Sequence, residues 1–251
     1  MTGPTTTFAA LAGLAVAASF SAAVSTEVQK KDVEIKASDG VALKGTYFSP
    51  GRSGPAMLLL HQCNMDRHAW DNLAADLAAT GFHVLAIDYR GYGESGGEHF
   101  TDMAQRRPVM QQKWPGDVDA AFEYLVAQKD VDKGRVAAGG ASCGVTQSSD
   151  LATRHHEIRA LMLLSGAVSD QARTYIAATP SLPVFGAASE GDSGAAKGIR
   201  AAVEASKNPQ STLKIYRGTE HGVPMFAVNP DLEPMIVSWL KTQVATAGRT
   251  H

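Results

Sequence analysis

Gly139-Gly140-Ala141-Ser142-Cys143-Gly144 holds a Gly-x-Ser-x-Gly pattern centred on Ser142, where the apolar run 136–138 gives way to a segment that reads as helix. A strand that turns sharply into a helix lifts the corner residue clear of the sheet, and small residues on either side leave room for the turn. A serine hydroxyl is a poor nucleophile until a base removes its proton, so a corner that presents the oxygen to a base is what serine chemistry requires. The pentapeptide is built of common residues, and its meaning depends on its surroundings.

Upstream, Val33 and Ile35, then Val41 and Leu43, alternate with polar neighbours around Asp39-Gly40, the pattern of a β-hairpin at a sheet edge. The run 57–60 is continuously apolar, as in a strand covered on both faces. Trp70, Leu73, Ala74, Leu77 and Ala78 fall at helical spacing, Gly81 is placed to end that helix, and a strand follows at 82–87. Val118, Ala121, Phe122, Leu125 and Val126 form one stripe of a second helix leading into the elbow strand. Downstream, strands are predicted at 161–164, 182–187 and 213–216, and a last helix beginning near Pro234 carries Ile236, Trp239 and Leu240. This alternation predicts an α/β fold: a mostly parallel, twisted sheet of about eight strands, helices on both faces, and reactive groups at the carboxyl ends of the strands. Only about sixteen residues separate Ser165 from the strand near Leu182, too few for a large lid, while residues 96–114 read as a loop long enough to cover part of a site.

The 251 residues suffice for one substantial core. A formal net charge of −2 gives no electrostatic case for nucleic acid or an anionic membrane surface, and the pairs Lys30-Lys31 and Arg106-Arg107 read as solvated loop charge. Residues 1–26 contain no Asp, Glu, Lys, Arg or His, and an Ala-rich apolar stretch over 8–20 precedes the small residues Ala22, Ala23 and Ser25. That is the plan of a secretory signal, although no Lys or Arg precedes the apolar stretch. Residues 1–25 are read as a leader and 26–251 as the folded domain. A periplasmic or secreted location follows, with no stable membrane association once the leader is removed; a disordered leader on a cytoplasmic protein is the alternative. The two cysteines, Cys63 and Cys143, form no disulfide framework and match no zinc spacing, so no metal is expected. Both fall beside candidate catalytic elements; they are read as unbridged, with a bridge between them as the alternative.

Five segments stand in order: Leu58-Leu59-Leu60-His61, Asp88-Tyr89-Arg90-Gly91-Tyr92-Gly93-Glu94-Ser95, the serine corner, Glu190-Gly191-Asp192 and Gly218-Thr219-Glu220-His221-Gly222. Together they make the chain resemble an α/β hydrolase, in particular the small, lidless dienelactone-hydrolase-like esterases, from about Asp32 to Leu240. His221 is the candidate base, because it lies in a loop beyond the last strand beside Gly222 and an imidazole exchanges protons near neutrality. Asp192 follows the strand 182–187, where its carboxylate would orient His221 and stabilise the imidazolium; a helix N-cap is its alternative role. Glu190 in the same loop, and Asp170, where some relatives place the acid, are its rivals.

The family pattern implies an oxyanion hole made by the backbone N–H groups of Cys143, after the nucleophile, and Cys63, in the loop after His61. Gln62 departs from that pattern, standing where a Gly often follows the His, and is expected either to narrow the hole or to bring an amide near the substrate. Cys143 is a rival nucleophile, since the best-known dienelactone hydrolases use cysteine. Centring the motif on it would put Ala141 and Val145 at the two glycine positions, where a branched Val crowds the turn, so Ser142 is preferred. Gln62, Trp114, Met225 and Phe226 are candidate substrate contacts, with Phe100 beside them. Asp88 and Arg90 are expected to pair locally as scaffold, and His61 to buttress a loop. The resemblance implies a serine hydrolase cleaving small to medium carboxylic esters or lactones through an acyl-enzyme, with a small-molecule substrate and no cofactor. A peptidase or amidase of the same fold, and a binding protein that kept the fold without catalysis, are the alternatives.

Overall fold

The apolar run 57–60 lies in β3 (Gly54–Leu60), near the middle of an eight-stranded sheet in this computed structural model, which describes residues 1–3 and 27–246. The expected leader therefore lies, beyond its first three residues, outside the described residues. The other strands are β1 (Gln29–Lys36), β2 (Ala42–Ser49), β4 (His83–Ile87), β5 (Val131–Ala141), β6 (Ile158–Leu164), β7 (Val184–Ser189) and β8 (Thr212–Tyr216), ordered β1-β2-β4-β3-β5-β6-β7-β8. The β1–β2 hairpin is antiparallel and β2 meets β4 antiparallel, whereas every pairing from β4 to β8 is parallel. The mostly parallel sheet predicted from the alternation is the one observed.

Successive strand side chains point to opposite faces, which sorts the core into two layers. Leu58, Leu60, Leu85 and Ile87 pack on one side with α3 (Trp114–Val126), α4 (Cys143–Arg154), α5 (Asp170–Ala178) and α6 (Ser193–Ala205). Met57, Leu59, Val84 and Ala86 pack on the other with α1 (Asp71–Ala79) and α8 (Leu232–Thr246). A short helix, α7 (Met225–Val228), precedes α8.

Residues 96–114 are not simply a loop, because α2 (Met103–Gln112) occupies most of them. It starts on an Asp102 cap whose carboxylate accepts from the Ala104 N–H at 2.8 Å, and it contains Pro108. None of its residues is buried, so it lacks the apolar stripe by which helices are read from sequence.

The segment after β4 is scaffold, but its pairing differs from the expected Asp88–Arg90 contact. Fully buried Asp88 accepts from the Arg67 guanidinium, from the Arg67 N–H at 2.7 Å and from the Glu94 N–H at 3.0 Å. Arg90 instead pairs with Asp117 on α3 and with Asp39 in the edge hairpin. Burial raises the Asp117 pKa, and the Arg90 guanidinium opposes that rise. No helix among the described residues is long and apolar enough to cross a membrane.

Candidate active site

Ser142 sits at φ 54°, ψ −116°, between the end of β5 and the first residue of α4. Holding a serine in that region costs about 1–3 kcal/mol, so the surroundings must impose it. They do so through the Ser142 N–H, which donates to Leu164 at 2.9 Å, and through the Ser142 carbonyl, which accepts from Val145 at 3.0 Å. A β-carbon on Gly144 would overlap the Leu60 carbonyl, and one on Gly140 would overlap Gly144 itself. These two glycines flank Ser142 symmetrically, and the left-handed backbone falls on Ser142 rather than Cys143, which settles the register of the corner.

Parallel strands deliver the remaining groups to the same edge. After β7, the N–H groups of Glu190 and Gly191 donate to the carbonyls of Tyr216 and Gly218, tying the acid loop to the loop beyond β8. Asp192 stands at the N-cap of α6 yet makes no capping bond. Its carboxylate meets His221 Nδ1 at 2.6 Å, with the imidazole 42% and the aspartate 20% exposed. The rivals lie elsewhere: Glu190 is exposed, and Asp170 is 96% exposed and paired with Arg173. The His221 loop abuts the corner, since a β-carbon on Gly222 would lie 3.2 Å from that of Ala141. Ser142 Oγ itself makes no hydrogen bond with His221 or with another described residue.

Cys63 and Cys143 are joined by a disulfide, with Cα atoms 5.8 Å apart, which corrects the expectation of two free thiols. Low cysteine content argued against a bridge, whereas the placement of both residues beside the corner was the signal for one. Neither the Cys63 nor the Cys143 N–H has an acceptor among the described residues. Behind them, His61 is fully buried, and burial lowers its pKa. Its Nδ1 contacts the Gln62 carbonyl at 2.7 Å and its Nε2 lies 3.3 Å from the Tyr89 N–H, the buttress foreseen for it.

The expected substrate contacts fare differently. Gln62 is buried, its amide bonded to Asn64 and Val223. Trp114 is fully buried and stacks on Tyr89 at 3.9 Å between centroids, so it packs the core rather than lining a pocket. Met225 is also fully buried, taking the Ser165 hydroxyl on its sulfur, and half-buried Phe226 meets Trp70 edge-on. The Phe100 carbonyl accepts from Arg106. A cavity of about 360 Å³ opens instead between α2 and α4, lined by Arg107, Met110, Gln111, Cys143, Thr146 and Gln147 among others. Arg106, read as solvated, also donates to the Cys63 carbonyl at 3.3 Å and lies over the Tyr92 ring. An arginine pair in a polar stretch carries no sequence signal for such a role.

A family model described as serine aminopeptidase, S33, matches residues 52–190, more than half of the chain. The chain belongs to this family of α/β hydrolases. The match takes in the serine corner and stops short of Asp192 and His221. Two uncharacterized proteins of Mycobacterium tuberculosis, from strains CDC 1551 / Oshkosh and H37Rv, are each 38% identical over 126 residues, which is 49% of this chain. That stretch is 41% of their own length, so the chain spans under half of the curated relatives it matches. The esterase Pf2001 of Pyrococcus furiosus superposes with a TM-score of 0.67 at 22% identity, covering 86% of this chain and 94% of the esterase. The α/β hydrolase GrgF of Penicillium sp. sh18 gives 0.68 at 16% identity, covering 86% and 99%. At such identities the likeness is one of fold.

Proposed function

We propose that this α/β hydrolase is a serine esterase of the dienelactone-hydrolase-like kind, cleaving small to medium carboxylic esters or lactones. The observation that carries the reading is the 2.6 Å Asp192–His221 contact on a loop that abuts the strained Ser142 corner. Ser142 Oγ attacks the ester carbonyl while His221 Nε2 takes its proton. Asp192 holds the tautomer with the proton on Nδ1 and stabilises the imidazolium. The tetrahedral oxyanion lies against the N–H groups of Cys63 and Cys143, worth a few kcal/mol of barrier each at about the strength of such donors elsewhere. His221 then protonates the leaving alcohol, and water, deprotonated by the same imidazole, releases the acid from the acyl-enzyme. The Ser–His bond closes as substrate fills the site, since such bonds are often long or open in free enzymes. The cavity of about 360 Å³ beside Cys143 suits a small to medium ester.

The description of the matched family favours a second reading, an aminopeptidase or amidase with the same triad. Paired assays separate them: p-nitrophenyl butyrate turnover, lost in Ser142→Ala with the fold retained, against release of p-nitroaniline from amino-acid anilides. Full ester turnover by Ser142→Ala would falsify the triad. Anilide cleavage without ester cleavage would favour the peptidase. Absence of fluorophosphonate labelling at Ser142 would favour a binding protein. The disulfide supports export to an oxidising compartment.

A further inference from the structure

Gln62 stands where the substrate was expected, yet its side chain is 2% exposed and its amide is directed elsewhere. Oε1 accepts the Val223 N–H at 3.0 Å, and Nε2 donates to Asn64 Oδ1 at 2.7 Å. The approach is tight: Gly222, at φ 69°, could not carry a β-carbon without overlapping Oε1. The bond joins positions 161 residues apart, and its far end is two residues from His221. On the other side of His221, the Glu220 carbonyl accepts the hydroxyl of buried Ser189 at 2.6 Å. The base is therefore bracketed by two buried polar side chains, one rooted in β7 and the other in the loop after β3.

That second root matters because Gln62 also shapes the oxyanion loop. Its own carbonyl accepts from the Met65 N–H at 3.1 Å and meets His61 Nδ1 at 2.7 Å, and the next residue supplies the Cys63 N–H. Resting on the serine-hydrolase reading above, we propose that Gln62 is a positioning residue that fixes His221 relative to the oxyanion hole without touching substrate. One side chain thereby sets the distance between the group that takes the proton and the group that receives the negative charge. A glycine at this position, the residue that often follows the histidine in the resemblance, would leave the Val223 N–H without its partner. A misplacement of about 1 Å in such an arrangement can lower the rate about 100-fold. The loss falls on kcat rather than KM, because the bond orders the transition state and not the bound ester.

The test uses the full chain, p-nitrophenyl butyrate kinetics, the rate of fluorophosphonate labelling and a thermal melt. Gln62→Leu keeps the bulk but removes the acceptor; it should lower kcat roughly 10- to 100-fold with KM nearly unchanged, and slow labelling in parallel. Gln62→Glu still accepts the Val223 N–H, and Asn64 can turn its amide to donate, so this variant should recover most of kcat. Gly222→Ala drives a β-carbon into Oε1 and should copy Gln62→Leu. Wild-type kcat and labelling in Gln62→Leu, or a change confined to KM, would overturn the proposal. If Gln62→Leu does not fold, Gly222→Ala decides: reduced kcat beside an active Gln62→Glu supports the role, and wild-type kcat overturns it. A wild-type protein that neither hydrolyses the ester nor labels at Ser142 would instead overturn the serine-hydrolase reading itself, which separates the two failures.

Discussion

Residues 61–64 and α2 both border Cys143, and they are held on opposite terms. The first segment is tied by the Cys63–Cys143 disulfide, by the Gln62 amide and by the fully buried His61 ring. The second is a ten-residue helix with no fully buried side chain, docked by the half-buried Val109 and Met110 on the edge of the core, through the Arg106 guanidinium on the Cys63 and Phe100 carbonyls and by a 3.4 Å bond from Gln147 to the Met110 carbonyl. The groups that must meet a developing charge gain from being preorganised, since donors already in place need no reorganisation as the charge forms. The groups that border the rest of the substrate need only shape. On the proposed mechanism the contrast separates catalysis from specificity, and each side can be perturbed alone.

The largest break expected on the catalytic side is Asp192→Asn. An amide presents a donor to Nδ1 or forces the wrong imidazole tautomer, and substitutions of this kind in serine triads lower kcat about 10⁴-fold with the geometry intact. Stopped assays on p-nitrophenyl butyrate measure it. A variant within tenfold of wild type, on the order of 1.4 kcal/mol of barrier, would mean that the 2.6 Å contact is an ordinary surface ion pair.

The disulfide comes next. It closes a loop of 80 residues, for which the chain-entropy account gives about 4.5 kcal/mol, on the order of 10 °C in Tm for a domain of this size. Reduction, or the pair Cys63→Ala with Cys143→Ala, should lower Tm by that order. It should also lower kcat, because the two free N–H groups lose the covalent tie between their loops. Calorimetry and kinetics on oxidised and reduced protein read both effects. Equal kcat in the two states would show that the Gln62 contact and the buried buttress suffice to hold the hole open.

How much of this could be read from the residues follows the same division. The sheet, the corner and the meeting of Asp192 with His221 were legible because each has a strong local signature: apolar runs for β3 and β4, a Gly-x-Ser-x-Gly turn, an Asp after β7 and a His after β8. Their partners were not, because long-range polar pairing has no periodicity. Asp88 next to Arg90 in sequence suggested a local pair, yet strand geometry sends the aspartate to Arg67 and the arginine to Asp117. Gln62 read as a substrate contact for the same reason: nothing near it in sequence reveals an N–H at Val223. Helix α2 escaped because its polar composition is that of a loop, with only the Asp102 cap to mark its start.

The smallest effect on stability, and the sharpest test of the contrast, belongs to α2. Met110 is half-buried and lines the cavity beside Cys143 without joining the triad. Met110→Ala trims a side chain that packs only on the edge of the core, so stability should fall by no more than about 1 kcal/mol. Its effect should appear in acyl preference: a wider cavity favours longer p-nitrophenyl esters over the acetate, raising the ratio of their kcat/KM values several-fold. Fluorophosphonate labelling with a small probe should be unchanged, because the corner and the imidazole do not move. A drop in Tm as large as that from losing the bridge would place α2 in the preorganised framework. An unchanged acyl ratio would place the acyl chain outside the cavity between α2 and α4.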